Sequence, residues 1–241
     1  VAGGDRRVTS GGGWVLVPGW GAGADAFAAV LSCVPGTAAR VVGWDDLLVR
    51  GDAAVADACA ALGPGPVRLA GWSLGAMLAL EAALASPGRF AGLVLVSGTA
   101  RFCADGDGHP GADRRALRAM TARLGRDRHA VVRAFAEACA APEDAGASGW
   151  WEAQAARFDP SALARGLAAL GALDLRSRVG ALQLPVRLLH GERDAVVPRA
   201  AAAALSALLP DARLTVVEGR GHALPWTAPA EVAALLAELG S

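Results

Sequence analysis

The stretch Gly71-Trp72-Ser73-Leu74-Gly75 sets a serine between two glycines. Val67 to Ala70 before it reads as a short buried strand, and Leu74 to Ala85 after it as a helix. A serine on a sharp strand-to-helix turn is lifted clear of its own backbone, and the flanking glycines leave room for the turn and for an approaching substrate. The chemistry open to such a serine is nucleophilic attack on an acyl carbon. The five-residue pattern also arises by chance in Gly/Ser-rich loops, so its surroundings decide its meaning.

A serine nucleophile needs a base to take its proton and an acid to orient that base, and on a parallel sheet the order Ser, Asp or Glu, His is a known solution. Asp194 follows the apolar run Val186 to His190, and His222 follows Leu214 to Val217 in a glycine-rich loop. Each lies just past the carboxyl end of an expected strand, and in a parallel sheet those ends share one edge. Taken singly, Asp194 also reads as a turn residue and His222 as a loop histidine; order and placement together favour the catalytic reading. Glu192 and Glu218 remain alternative acids. His109 and His129 fall in the middle segment and are weaker bases, while His190 ends a strand and reads as a packing residue. Acyl transfer also needs donors for an oxyanion. The backbone N–H groups of Leu74, next to the nucleophile, and of Trp20, in the loop after the first strand, are the candidates.

The elements that must position these groups alternate. Strands are expected at 14–17, 39–43, 67–70, 93–97, 186–190 and 214–217, with helices at 24–31, 53–62, 74–85, 200–209 and 229–239. This is the pattern of an α/β fold, a mostly parallel sheet with helices on both faces. The alternation stops over 110–180, where helices are expected at 113–124, 128–140, 150–158 and 161–170. The division expected is therefore a core of residues 1–109 and 181–241 and an inserted helical lid at 110–180, above the edge where the candidate residues converge.

Composition removes whole classes of function. Of 241 residues, all 23 basic ones are arginine and 23 are acidic, so no net charge advertises nucleic acid or an anionic membrane. The absence of lysine excludes a Schiff base, a pyridoxal phosphate anchor and a P-loop lysine. No apolar run reaches the roughly 18 residues of a membrane span. Cys33, Cys59, Cys103 and Cys139 are scattered without metal or redox spacing, so no metal and no cofactor is expected. Val1 to Gly13 has no apolar core of signal-peptide length, and a reducing cytoplasm is the expected setting.

Further motifs carry a resemblance. Gly19-Trp20-Gly21, Gly71 to Gly75, Val96 to Phe102, Asp174-Leu175-Arg176, Leu184-Pro185-Val186, Gly191 to Pro198 and Gly221-His222-Ala223 together resemble the pimeloyl-acyl-carrier-protein methyl ester esterases of biotin synthesis, within the α/β-hydrolase superfamily. The resemblance runs from Trp14 to the last helix and is looser in the lid. It implies a cytoplasmic, monomeric serine carboxylesterase with Ser73, Asp194 and His222 as triad and Trp20 and Leu74 as oxyanion donors. It further implies that Trp72, Phe102 and Phe135 line the acyl channel, and that Arg128, Arg133 and Arg157 contact an acidic acyl-carrier protein. Residues 112–133 hold seven arginines against Asp113 and Asp127, a local balance of +5. The chain departs from the family at Pro18, which replaces a histidine, in shortened strands before Trp14 and in a shorter lid. Fold and triad leave open a general short-chain carboxylesterase, an enol-lactonase or a C–C bond hydrolase, because lid and pocket set the chemistry on this scaffold. A catalytically silent binding module is the reading that the full set of three residues argues against.

Overall fold

A computed structural model describes residues 12–104, 106, 108–143 and 146–240. In chain order, β1 (Trp14–Val17) leads through a 3-10 turn at Ala24–Phe27 into α1 (Ala28–Cys33), then β2 (Ala39–Val41), α2 (Trp44–Arg50) and α3 (Asp52–Leu62). There follow β3 (Val67–Trp72), α4 (Leu74–Ala85) and β4 (Phe90–Val96). Two-residue strands β5 (Cys103–Ala104) and β6 (Ala112–Asp113) precede α5 (Arg114–Leu124), α6 (Arg128–Ala140), α7 (Ala147–Ala155) and α8 (Pro160–Ala172). The chain closes with β7 (Val186–Gly191), α9 (Arg199–Leu208), β8 (Ala212–Val217), α10 (Leu224–Thr227) and α11 (Pro229–Gly240).

The six-stranded sheet has the order β2-β1-β3-β4-β7-β8, and every pairing in it is parallel. Its central strands are mostly apolar because both faces are covered. All four residues of β1 and all six of β3 are buried, whereas the edge strands β2 and β8 are not. Helix α4 packs on β1, β3 and β4 and touches α2 and α3, while α1 and α11 pack on each other. From β1 the chain goes to one neighbour, β2, then returns to the other, β3, so the loops after β1 and β3 diverge. The crevice at such a switch point, outside the carboxyl ends of the strands, is where ligands bind on open parallel sheets. Trp20 and Ser73 sit in those two loops.

Helices α5 to α8 occupy the interval between β4 and β7. Aspartates start three of them: Asp113 accepts from Arg115 N–H at 2.8 Å, Asp127 from Ala130 N–H at 3.0 Å and Asp159 from Ala162 N–H at 2.9 Å. Each cap satisfies an N–H that the helix leaves unpaired, and Pro160 at the first helical position lacks a donor that would have gone unused.

Several boundaries differ from the expectation. The helix expected at 24–31 is a 3-10 turn followed by α1, and the strand expected at 39–43 stops at Val41. Strand β3 runs on to Trp72, and β4 starts at Phe90. Helices α2 and α10, seven and four residues long, were absent from the expected set because so short a segment shows no period. The expectation of shortened strands before Trp14 falls chiefly on residues 1–11, outside the described residues.

Candidate active site

Packing around the elbow explains why its pattern needs glycine. A Cβ on Gly71 would stand 2.2 Å from the Gly75 carbonyl oxygen, and one on Gly75 would stand 2.1 Å from that of Val17. Ser73 between them adopts φ 58° and ψ −120°, a conformation that a side-chain-bearing residue takes only where its surroundings impose it. Its own N–H donates to Val96 O at 2.9 Å, tying the elbow to the end of β4.

The structure brings Ser73, His222 and Asp194 into one hydrogen-bonded line. His222 Nε2 lies 2.8 Å from Ser73 Oγ, and Nδ1 lies 2.7 Å from Asp194 Oδ2. A carboxylate only accepts, so Nδ1 carries the hydrogen and Nε2 is left free to accept from the Ser73 hydroxyl. Asp194 is fixed from its other side, because Oδ1 accepts N–H bonds from Val196 at 2.9 Å and Val197 at 2.8 Å. Burial works to raise the Asp194 carboxyl pKa. The facing His222, with smaller help from His190 and Val197 N–H, outweighs burial and holds it below the ordinary carboxylate range. The Asp194 and His222 loops meet backbone to backbone: a Cβ on Gly191 would lie 2.1 Å from Gly221 O.

The other candidates are placed elsewhere. The Glu192 carboxylate takes the Gly219 N–H at 2.9 Å and, like Glu218, is exposed rather than turned to the imidazole. His109 Nε2 donates to Arg101 O at 2.8 Å, and His129 is exposed. His190 is fully buried, as a packing residue should be, yet its Nε2 also stands 3.3 Å from Asp194 Oδ2.

Trp20 and Leu74 flank the serine. Leu74 opens α4, so its N–H has no acceptor within the helix. The Trp20 loop lies against the elbow, since a Cβ on Gly19 would be 3.2 Å from Ser73 Cβ. Trp20 is held at ring and backbone: Nε1 donates to Leu163 O at 2.8 Å, and its carbonyl accepts from Trp151 Nε1 at 3.0 Å.

Trp72 is buried, donates from Nε1 to the His222 carbonyl at 3.0 Å and packs on Trp151 at 4.7 Å between ring centroids. Ser97, at φ 49°, donates to the same carbonyl at 3.0 Å. Phe135 meets Trp20 and Trp151 edge-on. Phe102 and Phe135 line a cavity of about 180 Å³ with Leu117, Met120, Leu167 and Val196, the last being two residues beyond Asp194. Sequence reasoning assigned no role to Ser97, Trp151 or Glu143. Glu143 follows α6 and accepts the Gly221 N–H at 3.3 Å, beside His222.

The three arginines expected to face a carrier all have partners within the chain. Arg133 stands 3.6 Å from Glu152, Arg157 stands 3.5 Å from Asp25, and Arg128 donates to Phe158 O at 3.4 Å. Among the described residues no cluster of His, Cys, Asp and Glu is arranged to hold a metal, and no helix is long and apolar enough to cross a membrane.

A family model described as "Alpha/beta hydrolase family" matches residues 9–235. The chain belongs to the alpha/beta hydrolase family. Within it, the chain groups with proteins named pimeloyl-[acyl-carrier protein] methyl ester esterase. The one from Aromatoleum aromaticum is 31% identical over 93% of this chain and 96% of that relative. The one from Nitrosomonas europaea is 32% identical over 66% of each chain, a little under two thirds of that relative's length. Among solved structures, a hydrolase from Oleispira antarctica superposes with a TM-score of 0.83 over 95% of this chain and 92% of that one, at 16% identity, which is a likeness of fold.

Proposed function

We propose that this alpha/beta hydrolase is a serine carboxylesterase that cleaves the methyl ester of a pimeloyl-acyl-carrier protein in biotin synthesis, releasing methanol. The observation that carries the reading is the line from Ser73 Oγ through His222 to Asp194, set in the crevice between β1 and β3. The name shared by the relatives supplies the substrate class.

In the first half of the reaction His222 Nε2 takes the Ser73 proton as Oγ attacks the ester carbonyl. Asp194 holds the imidazole with Nδ1–H towards itself and stabilises the charged ring. The N–H groups of Leu74 and Trp20 receive the developing oxyanion, whose stabilisation in a water-poor site is worth about 3 kcal/mol per donor. His222 then gives its proton to departing methanol, leaving an acyl-serine. Water repeats the cycle, attacking the acyl carbon as His222 removes its proton, and the free carboxylate leaves with Ser73 restored. These steps need no metal or organic cofactor.

On this reading the helical insertion at 110–180 is the lid. Trp72, Phe102 and Phe135 line the acyl channel, Trp72 also supporting His222 through its Nε1 bond. Arg128, Arg133 and Arg157 meet the carrier by exchanging their internal partners for carboxylates on its surface. The enzyme works as a cytoplasmic monomer. One observation favours a second reading, a hydrolase of small free esters: Arg133 and Arg157 already face acidic side chains of their own chain.

Mass-spectrometric turnover of methyl-pimeloyl-carrier protein beside a free short-chain ester separates the two. Faster, Ser73-dependent demethylation of the carrier-bound ester is the expected result. Ser73-dependent turnover of the free ester alone would leave the esterase and remove the carrier.

A further inference from the structure

The contact between His190 and Asp194 plays no part in the proton transfers above. His190 ends β7 and is fully buried. Its Nε2 lies 2.9 Å from the Val197 carbonyl oxygen and 3.3 Å from Asp194 Oδ2. Both oxygens only accept, so Nε2 bears a hydrogen. The carboxylate oxygen it flanks is the same one that takes the His222 Nδ1 bond. The other ring nitrogen, Nδ1, is buried without a hydrogen-bond partner among the described residues. A second proton there would be a buried donor without a protein acceptor among the described residues, which disfavours the charged ring.

We propose that His190 is a positioning residue for Asp194, an Nε2–H that locks the turn from 190 to 197 and places partial positive charge against Oδ2. The inference rests on the triad reading. The carboxylate is then held on both oxygens, by Val196 and Val197 N–H on Oδ1 and by His222 and His190 about Oδ2. Burial pushes the His190 pKa down against the opposing pull of Asp194 and Val197 O, which keeps the ring neutral.

The surrounding charges leave this role to His190. From α6, Cys139 faces the acid, and burial together with the Asp194 charge pushes its thiol well up, so it stays neutral. In the His222 loop Arg220 stands 3.6 Å from Glu143, a pair of balanced charge. Removing the His190 N–H therefore leaves the Asp194 charge more concentrated on His222 and stabilises the charged imidazole. The acid limb of the activity profile must then move to higher pH.

The test is the pH profile of kcat/KM on a small free ester for wild type, His190→Leu, His190→Gln and Ser73→Ala. Expected for His190→Leu is about a tenfold lower plateau and an acid limb raised by roughly half a pH unit. Glutamine restores an N–H donor and should return the limb towards wild type. A wild-type limb in His190→Leu, or a glutamine variant shifted as far as the leucine one, overturns the proposal and leaves His190 a packing residue. Should His190→Leu fail to fold, ring-nitrogen NMR of the wild-type protein decides. Expected is a protonated Nε2 and a bare Nδ1 at neutral pH, with the ring titrating below the ordinary histidine range, and a ring protonated on Nδ1 at neutral pH, or one titrating at or above that range, overturns it. Normal activity in Ser73→Ala is a different result, one that removes the triad itself.

Discussion

Trp72 and His222 are joined through a side chain and a backbone: the indole Nε1 of Trp72, the residue before Ser73, donates to the His222 carbonyl at 3.0 Å. The Ser97 hydroxyl donates to the same carbonyl, so His222 is gripped at its main chain as well as at both ring nitrogens. Trp72→Phe and Ser97→Ala each remove one grip. Either change should lower kcat about three- to tenfold and the pair more, with melting temperature followed in parallel. A double variant with wild-type kcat would show that the carbonyl bonds do not position the base.

Ser73→Ala and His222→Ala should each lower kcat by roughly a million-fold, because the members of such a line act as a unit. Fluorophosphonate labelling mapped by mass spectrometry should mark Ser73 in wild type and fall with His222→Ala. Near-normal turnover in either variant would end the triad reading.

Gly75→Ala should destabilise the fold by more than about 3 kcal/mol, since its Cβ would collide with the carbonyl oxygens of Val17 and Pro18. Gly149→Ala is the control. It lies within α7, where an added Cβ would have no neighbour within 4 Å, and it should gain up to about 1 kcal/mol from helix propensity. Urea unfolding of the two variants checks the contrast, and equal stabilities would contradict the packing described at the elbow.

Stability should fall with acid in two windows. The Asp194 pKa is lower folded than unfolded, so its contribution is present above about pH 4 and is lost as pH falls through the folded value. His190 is likewise depressed, but as a base. Below about pH 6.5 the unfolded imidazole takes a proton that the buried one refuses, and stability drops as pH falls towards the folded value. Melting temperature against pH should show a shallower slope in the upper window for His190→Gln and in the lower one for Asp194→Asn. Slopes identical to wild type would separate these groups from acid sensitivity.

Arg128→Glu with Arg133→Glu should raise KM for a carrier-bound ester about tenfold and weaken its salt dependence, while a small free ester is turned over within about twofold of wild type. Equal losses on both substrates would mean that these arginines serve the fold through Glu152 and Phe158 rather than the carrier.

The sheet and the Ser73, Asp194 and His222 convergence were legible because each signal is local. The central strands are mostly apolar, the elbow is a fixed spacing, and strand ends in a parallel sheet share an edge. What stayed hidden depends on contacts far apart in sequence. Ser97 at a strand end and Glu143 after α6 carry no pattern that points to the His222 loop. Trp151 lay within an expected helix, but nothing in its neighbourhood announces a bond to Trp20. His190 was read as buried, which it is. Its position four residues before Asp194, across a turn closed by Gly191, was the available sign that burial set it against the acid.

Trp151 ties the segment between β4 and β7 to the core beneath it. It is among the largest fully buried side chains, and it reaches from α7 to Trp20, Trp72 and Phe135. The insertion is thus no detachable cassette. Exchanging it for the lid of another hydrolase would also remove a core residue and the partner of the Trp20 carbonyl. The exposed positions of α5 and α6, by contrast, can vary without disturbing the buried joint at α7.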